Sequence, residues 1–165
     1  MEWGGAHVTN VLVDLDRFDQ AILRVLARDG RISITDLAKA IGLSKSPTQT
    51  RLRRLEEQGI ILGYRALVDP IRLGVDHVAF VEVRLSDTRE AALRAFNAAV
   101  AQVPEIEQAH MIASHFDYLL KVRTRDMASY RRILGETISA LPHVVGTSTH
   151  VAMEAVKETM LAHET

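Results

Sequence analysis

Cysteine is absent from the 165 residues, and that gap excludes a disulfide framework, a thiolate metal site and a thiol nucleophile. It fits a chain expected to work in the reducing cytoplasm. Long apolar runs are missing too: no stretch of about 18 apolar residues occurs. Met1 to Val13 has neither the positive cluster nor the apolar centre of a signal peptide. Neither secretion nor a membrane span is expected. There is no glycine-rich phosphate loop, no GxSxG elbow and no HExxH string. The seven histidines include no i, i+4 pair on an expected helix, so no metal site, no cofactor and no catalytic residue is expected. At 18.3 kDa the chain is too short for a barrel enzyme or a doubly wound nucleotide-binding enzyme. Its 47% hydrophobic and 25% charged residues are those of a globular protein rather than a disordered one.

An excess of either charge is also lacking, since the formal net charge is -1. Taken whole, that figure argues against a polyanionic partner, whose phosphates demand Lys and Arg. Residues 16 to 66, however, hold ten bases against six acids, a local charge of +4, with -2 before them and -3 after. A basic module of about fifty residues joined to a mildly acidic one implies two domains with different partners.

Leu15 to Arg28 reads as a helix with Asp16 as N-cap, Asp19 in its first turn, Phe18, Ile22, Val25 and Leu26 on one face, and Gly30 just past its end. Ser33 caps a shorter helix with Asp36 three residues on, and Gly42 stands where the chain must turn left-handed. Ser46 is expected to cap a third helix, with Pro47 at the first helical position and Gln49 completing a capping box; Gly42 to Lys45 form the turn. After Gly59 the run Ile60 to Val68 is β-prone and stops at Asp69-Pro70, a linker strand. Beyond it the pattern gives strand Val78 to Leu85, helix Arg89 to Gln102, strands Ile106 to Ile112 and Phe116 to Arg123, helix Met127 to Leu141 and strand Val144 to Met153. That β-α-β-β-α-β order is the split βαβ, ferredoxin-like arrangement of an α+β protein. The expected division is a lead over 1-14, in which Val8 to Val13 has room for a short strand, a helix-turn-helix over 15-59, a linker and hinge over 60-74, and the βαββαβ domain over 75-165.

Ser33 to Glu57 has the parts of a DNA reader: a bracing helix, a glycine turn, and a second helix with a polar, basic outer face. Thr48, Leu52 and Leu55 are spaced to pack inward, leaving Gln49, Thr50, Arg51, Arg53 and Arg54 more exposed. Lys45 and Ser46 lie at the N-terminal end, where free N–H groups and the helix dipole favour phosphate. Arg suits guanine and Gln suits adenine, so Gln49 and one arginine are candidates for base reading while the others hold phosphates. A merely solvated face, its arginines paired with Glu56 and Glu57, would explain a basic helix but not the brace, the turn and the local charge together. The partner expected is double-stranded DNA, bound by an even-numbered oligomer of the chain.

The strings LDRFDQAILRVLARDGRIS, DLAKAIGLSKSP, RLRRLEEQGIILGYRALVDP, FDYLLKV and THVAMEAVK run in order from about Leu15 to Lys157. In them the chain resembles the Lrp/AsnC (leucine-responsive, feast/famine) transcriptional regulators. The resemblance implies an N-terminal winged helix-turn-helix, a C-terminal ferredoxin-like domain that senses amino acids, dimerisation through that second domain, and assembly of dimers into tetramers or octamers. It also implies an effector site formed by the loop entering the FDY strand and by strand ends of an adjoining dimer. Carried over, the candidates are Met111, Ala113, Ser114, His115, Phe116 and Asp117, with Met127, His150, Val151 and Ala152. Asp117 is either the partner of the effector's ammonium or a structural carboxylate at the strand entrance, and the N–H groups of Ser114 to Phe116 suit a carboxylate. The family usually has Gly where this chain has Ser114, and Gly would permit a positive φ there. HMIASHFDYLLKVRT, LPHV and TSTHVAMEAVKE look like the branch of the family that activates proline dehydrogenase, which implies proline as effector. The alternatives are a global leucine-responsive type of regulator, or an amino-acid-binding or assembly module in an unrelated regulatory role. An enzyme is the rival class, because ferredoxin-like domains host catalysis elsewhere, but no nucleophile or base presents itself; His110, His115 and His150 can meet only through the fold.

Overall fold

The computed structural model describes residues 14–158; the short strand expected over Val8 to Val13 lies outside them. The chain divides between Leu67 and Val68 into two compact units. None of the described helices is long and apolar enough to cross a membrane.

In the first unit, helix α1 (Arg17–Arg28) begins with a reciprocal cap. The Asp16 carboxylate accepts from the N–H of Phe18 at 2.8 Å and of Asp19 at 3.0 Å, while the Asp19 carboxylate accepts from the N–H of Asp16 at 3.2 Å. In α2 (Ile34–Ile41) the Ser33 hydroxyl accepts from the N–H of Asp36, and Gly42 closes the helix at φ +73. A Cβ at Gly42 would touch nothing within 4 Å, so the demand for glycine is torsional rather than spatial. Helix α3 (Lys45–Glu57) starts earlier than its sequence suggests: Ser44 is the N-cap residue, it makes no side-chain cap bond, and Pro47 occupies the third helical position. Gln49 therefore completes no capping box, and the turn is Gly42 to Ser44. Buried Thr48 sets this start, its backbone N–H and its hydroxyl both donating to the Ser44 carbonyl, the hydroxyl at 2.9 Å. Pro47 tolerates the shift because any position in the first turn leaves its missing donor unneeded. Ile22, Leu37, Ile41 and Leu55 make the core where the three helices meet, each fully buried one contributing about 1.5–3 kcal/mol.

The segment Ile60 to Val68 forms no strand. Ile60 and Ile61 fold back, both N–H groups donating to the Leu55 carbonyl, and pack against the first core. From Leu62 onward the apolar side chains stand exposed, Leu67 at 75%. β-propensity describes fit to a paired, half-buried surface, and this segment has no ladder partner among the described residues.

In the second unit β1 (His77–Leu85), α4 (Glu90–Val100), β2 (Ile106–Met111), β3 (Tyr118–Thr124), α5 (Met127–Glu136), a 3₁₀ turn (Ile138–Ala140) and β4 (Val144–Val151) follow one another. The sheet order is β2-β3-β1-β4, every pair antiparallel. Ala79, Val81, Val83, Tyr118, Leu120 and Val122 face a core shared with Phe96, Val100, Tyr130 and Ile138. The alternate residues, including Phe80, Glu82, Arg84, Ser148 and His150, occupy the other face. The helix expected to reach Leu141 ends at Glu136 and continues only as the 3₁₀ turn. Leu141, which precedes Pro142, is extended at ψ 148, as the proline ring requires of its predecessor.

Three carboxylates at helix starts and one loop ion pair set a common pH dependence. Asp16 is lowered from the usual carboxylate range by the Asp19 N–H and by Arg51, Asp36 by the Ser33 hydroxyl, and Asp126 by the Ser129 N–H. Asp87 is lowered to about 2 by the Arg89 side chain. A folded state that holds carboxylates at depressed pKa binds fewer protons than the unfolded chain, so their stabilisation is present above about pH 4 and is lost as pH falls below it. Thermal melts followed by circular dichroism should give a midpoint that is lower at pH 3 than at pH 5 and falls further toward pH 2; an unchanged midpoint would contradict the assignment.

Candidate DNA-reading and effector sites

At about 100° per residue, burial of Thr48 and Leu55 turns Ser46, Gln49, Thr50 and Arg53 to the opposite side of α3, and all four are exposed. The Thr50 hydroxyl donates to the Ser46 carbonyl at 3.1 Å. Lys45 is exposed at the helix start, where no side chain caps the N–H groups. Arg53 makes no hydrogen bond or ion pair with any described residue, which leaves its five donors for an incoming acceptor.

Arg54 is exposed as expected and Arg51 is not, and both are paired with carboxylates of the first helix. Arg51 is not on the open face: Nη1 lies 2.6 Å from Asp16 Oδ2 and 2.9 Å from Asp19 Oδ1, with the guanidinium 5.4 Å from the centre of the Phe18 ring. Its pKa is raised by both carboxylates. Arg54 Nη2 lies 2.5 Å from Asp19 Oδ2. Arg51 falls three residues after Thr48 and four before Leu55, on the inward half of α3, so its long side chain can reach only the first turn of α1. Asp16 and Asp19 were legible as caps; that their remaining lone pairs bind α3 was not, because nothing local couples residues more than thirty positions apart.

In the second unit the loop between β2 and β3 is tied down by Asp117. Its Oδ2 accepts from the Leu85 N–H at 2.7 Å, its own N–H donates to the Val83 carbonyl, and its carbonyl accepts from Ile112. Of the two roles open to it, the structural one is therefore made. Oδ1 accepts no hydrogen bond from the described residues, and Asp117 lines a cavity of about 270 Å³ together with Thr88, Leu93, Met111 and Ile112. His115 and Phe116 line a separate groove of about 450 Å³ with Glu82, Arg84 and residues 146–148 of β4. A Cβ at Gly146 would come within 2.8 Å of Arg84 Nη2, so glycine there lets the guanidinium lie across the strand. Ala113 and Ser114 are exposed. Ser114 needs no glycine conformation, since among the described non-glycine residues only His143 has a positive φ, and its hydroxyl lies 3.1 Å from His115 Nδ1.

The other candidates are elsewhere. Val151 pairs with Ala79, the Ala152 N–H donates to the Val78 carbonyl, and Met127 opens α5 just beyond Thr124, which pairs with His77. They sit at the end of the sheet away from the loop, about 20 Å along β1 at 3.3 Å per residue. A single chain does not bring the two groups together. His150 lies between them, its Nε2 3.1 Å from Glu82 Oε1, while His115 Nε2 is 3.7 Å from Glu82 Oε2. Two of the three histidines thus meet at Glu82, which alternation placed on the polar face without marking its role. His110 is on the outer strand β2, opposite Leu119. No cluster of three potential metal ligands forms among the described residues.

Comparison with known proteins agrees with both halves. A winged helix-turn-helix DNA-binding model matches residues 15–61, and the Lrp/AsnC ligand binding domain matches residues 78–162. The chain is 61% identical over 146 residues to a proline dehydrogenase transcriptional activator of Rhizobium radiobacter, covering 88% of this chain and 94% of that one. It is 58% identical over 144 residues to the protein of the same name from Rhodobacter capsulatus, covering 87% and 94%. A crystal structure of a transcriptional regulator from Neisseria meningitidis in complex with L-Met superposes with a TM-score of 0.82 at 29% identity, covering 88% of this chain and 94% of that one. With a helix-turn-helix of three braced helices ahead of a βαββαβ ligand-binding domain, the chain belongs to the Lrp/AsnC family of transcriptional regulators.

Proposed function

We propose that the chain reads operator DNA through Lys45, Ser46, Gln49, Thr50 and Arg53 of α3, as a dimer or higher even-numbered oligomer in the cytoplasm. The observation that carries this is the outward stripe of α3, which presents together an amide, two hydroxyls and one guanidinium that is unpaired among the described residues. Gln49 and Arg53 suit bases, while Lys45 and the N–H groups of the uncapped helix start suit phosphate. Two such helices about a two-fold axis read half-sites roughly 34 Å, or a multiple of that, apart. Replacing Arg53 by Ala should weaken binding to the chain's own upstream region by about 1 to 3 kcal/mol and relax specificity at one base position. A footprint with unaltered affinity and specificity would remove Arg53 from the interface.

We further propose that the second domain responds to a small amino acid, with proline the first choice because the two relatives are named for proline dehydrogenase activation. In this reading Asp117 Oδ1 meets the effector's ammonium, the N–H groups of Ser114 to Phe116 meet its carboxylate, and Met111, Ile112 and Leu93 meet its apolar ring. Because Met127, His150, Val151 and Ala152 lie away from that cavity, they complete the site only from a second copy. Ligand then biases assembly by binding one arrangement of copies more tightly than another. Asp117→Asn keeps an acceptor for the Leu85 N–H while removing the charge. Calorimetry should show proline affinity reduced at least tenfold in that variant, and equal affinity would take the carboxylate out of the site. Light scattering should give an even multiple of 18.3 kDa, larger or more stable with effector present; a species of single-chain mass alone would overturn a site shared between copies.

A further inference from the structure

We propose that the Asp16 and Asp19 carboxylates position the DNA-reading surface by holding Arg51 and Arg54 away from the phosphates, so that Arg53 is the guanidinium of α3 left to act on DNA. This rests on the reading that α3 contacts DNA, and adds to it which cations take part and what restrains the others.

Three arginines fall within four consecutive positions, Arg51, Arg53 and Arg54. All three carry the same charge and reach, and phosphate contacts carry no sequence information. Left free, they would add mostly sequence-blind affinity. The fold separates them. Arg51 and Arg54, three residues apart, leave α3 on the side facing α1, while Arg53 leaves about 100° round from Arg54. On the α1 side stands Asp19, only 1% exposed, whose Oδ1 meets Arg51 and whose Oδ2 meets Arg54 as well as the N–H of Asp16. Asp16 Oδ2 adds a second acceptor for Arg51 at 2.6 Å, and the ring of Phe18 lies beside the same guanidinium.

The cluster therefore holds two negative and two positive groups. Arg54 is 46% exposed, so access alone does not keep it from a phosphate. The restraint is Asp19: withdrawing either guanidinium strips a buried carboxylate of a partner, a loss that a solvated phosphate contact does not offset. The same bonds fix the rotation of α3 against α1 and thereby aim Ser46, Gln49, Thr50 and Arg53. Asp16 and Asp19 touch no DNA in this arrangement and act through the arginines.

The test measures log K against log salt concentration for the full chain on two duplexes of equal length, one carrying its own upstream region and one scrambled. Each phosphate neutralised contributes about 0.9 to the slope. Arg54→Gln should leave the slope on both duplexes unchanged, whereas Arg53→Gln should reduce affinity for the upstream duplex. Asp19→Asn should steepen the slope by about 0.9 for each guanidinium released and lower the preference for upstream over scrambled DNA at least tenfold. Asp16→Asn, which keeps a good N-cap and so preserves the fold, should steepen it less. A flattening of about 0.9 in Arg54→Gln would overturn the proposal, because Arg54 would then be a phosphate contact. So would an Asp19→Asn protein that loses affinity for both duplexes equally at an unchanged slope, the mark of a purely structural carboxylate. Arg53→Gln without effect on either duplex would instead refute the reading of α3 on which the proposal rests.

Discussion

A carboxylate taken out of water must find donors inside the protein, and Asp19 meets that requirement with groups from two helices. Its oxygens meet the N–H that begins α1 and two guanidiniums from α3. Rotating α3 by even one residue would strand the charge, and stranding a buried charge is among the costlier faults in a folded protein. The hydrophobic contacts of Ile22, Leu37, Ile41 and Leu55 supply most of the favourable energy of this unit, but they are not directional. The ion cluster turns a packed trio of helices into one with a defined outward face.

The second unit applies the same device at smaller scale. Asp117 accepts from the backbone of Leu85 and exchanges main-chain bonds with Val83 and Ile112, so the loop that carries the candidate effector residues is anchored to β1. One oxygen serves the scaffold, and the same residue lines a cavity. Of the two roles open from the residue alone, the fold shows the structural one, and it leaves the second oxygen without a hydrogen bond from the described residues.

Much of the architecture was legible along the chain. Periodicity located the helices and the four strands of the second unit, and Asp16, Ser33 and Gly42 marked ends that the structure reproduces. The errors share one cause. Ser46 and Pro47 read as the start of α3 because capping is judged locally, whereas buried Thr48 drew the start back to Ser44. Ile60 to Val68 read as a strand because propensity does not reveal whether a partner strand exists. Arg51 read as exposed because its acceptors lie more than thirty residues earlier. Resemblance to a family supplied the candidate effector residues, and the fold then separated them by the length of β1.

The amino-acid sequence by itself determined what can be decided within a turn or two of backbone: the order of elements, their apolar faces, the left-handed turn at Gly42 and the concentration of positive charge in residues 16 to 66. Tertiary structure decided which charges are paired. It bound Arg51 and Arg54 to Asp16 and Asp19, left Arg53 without a partner among the described residues, joined His115 and His150 at Glu82, and set Met127 and Val151 away from Asp117. Side-chain pairing acts over a few ångströms of space, and neighbours at that range are set by how helices and strands pack rather than by their separation along the chain.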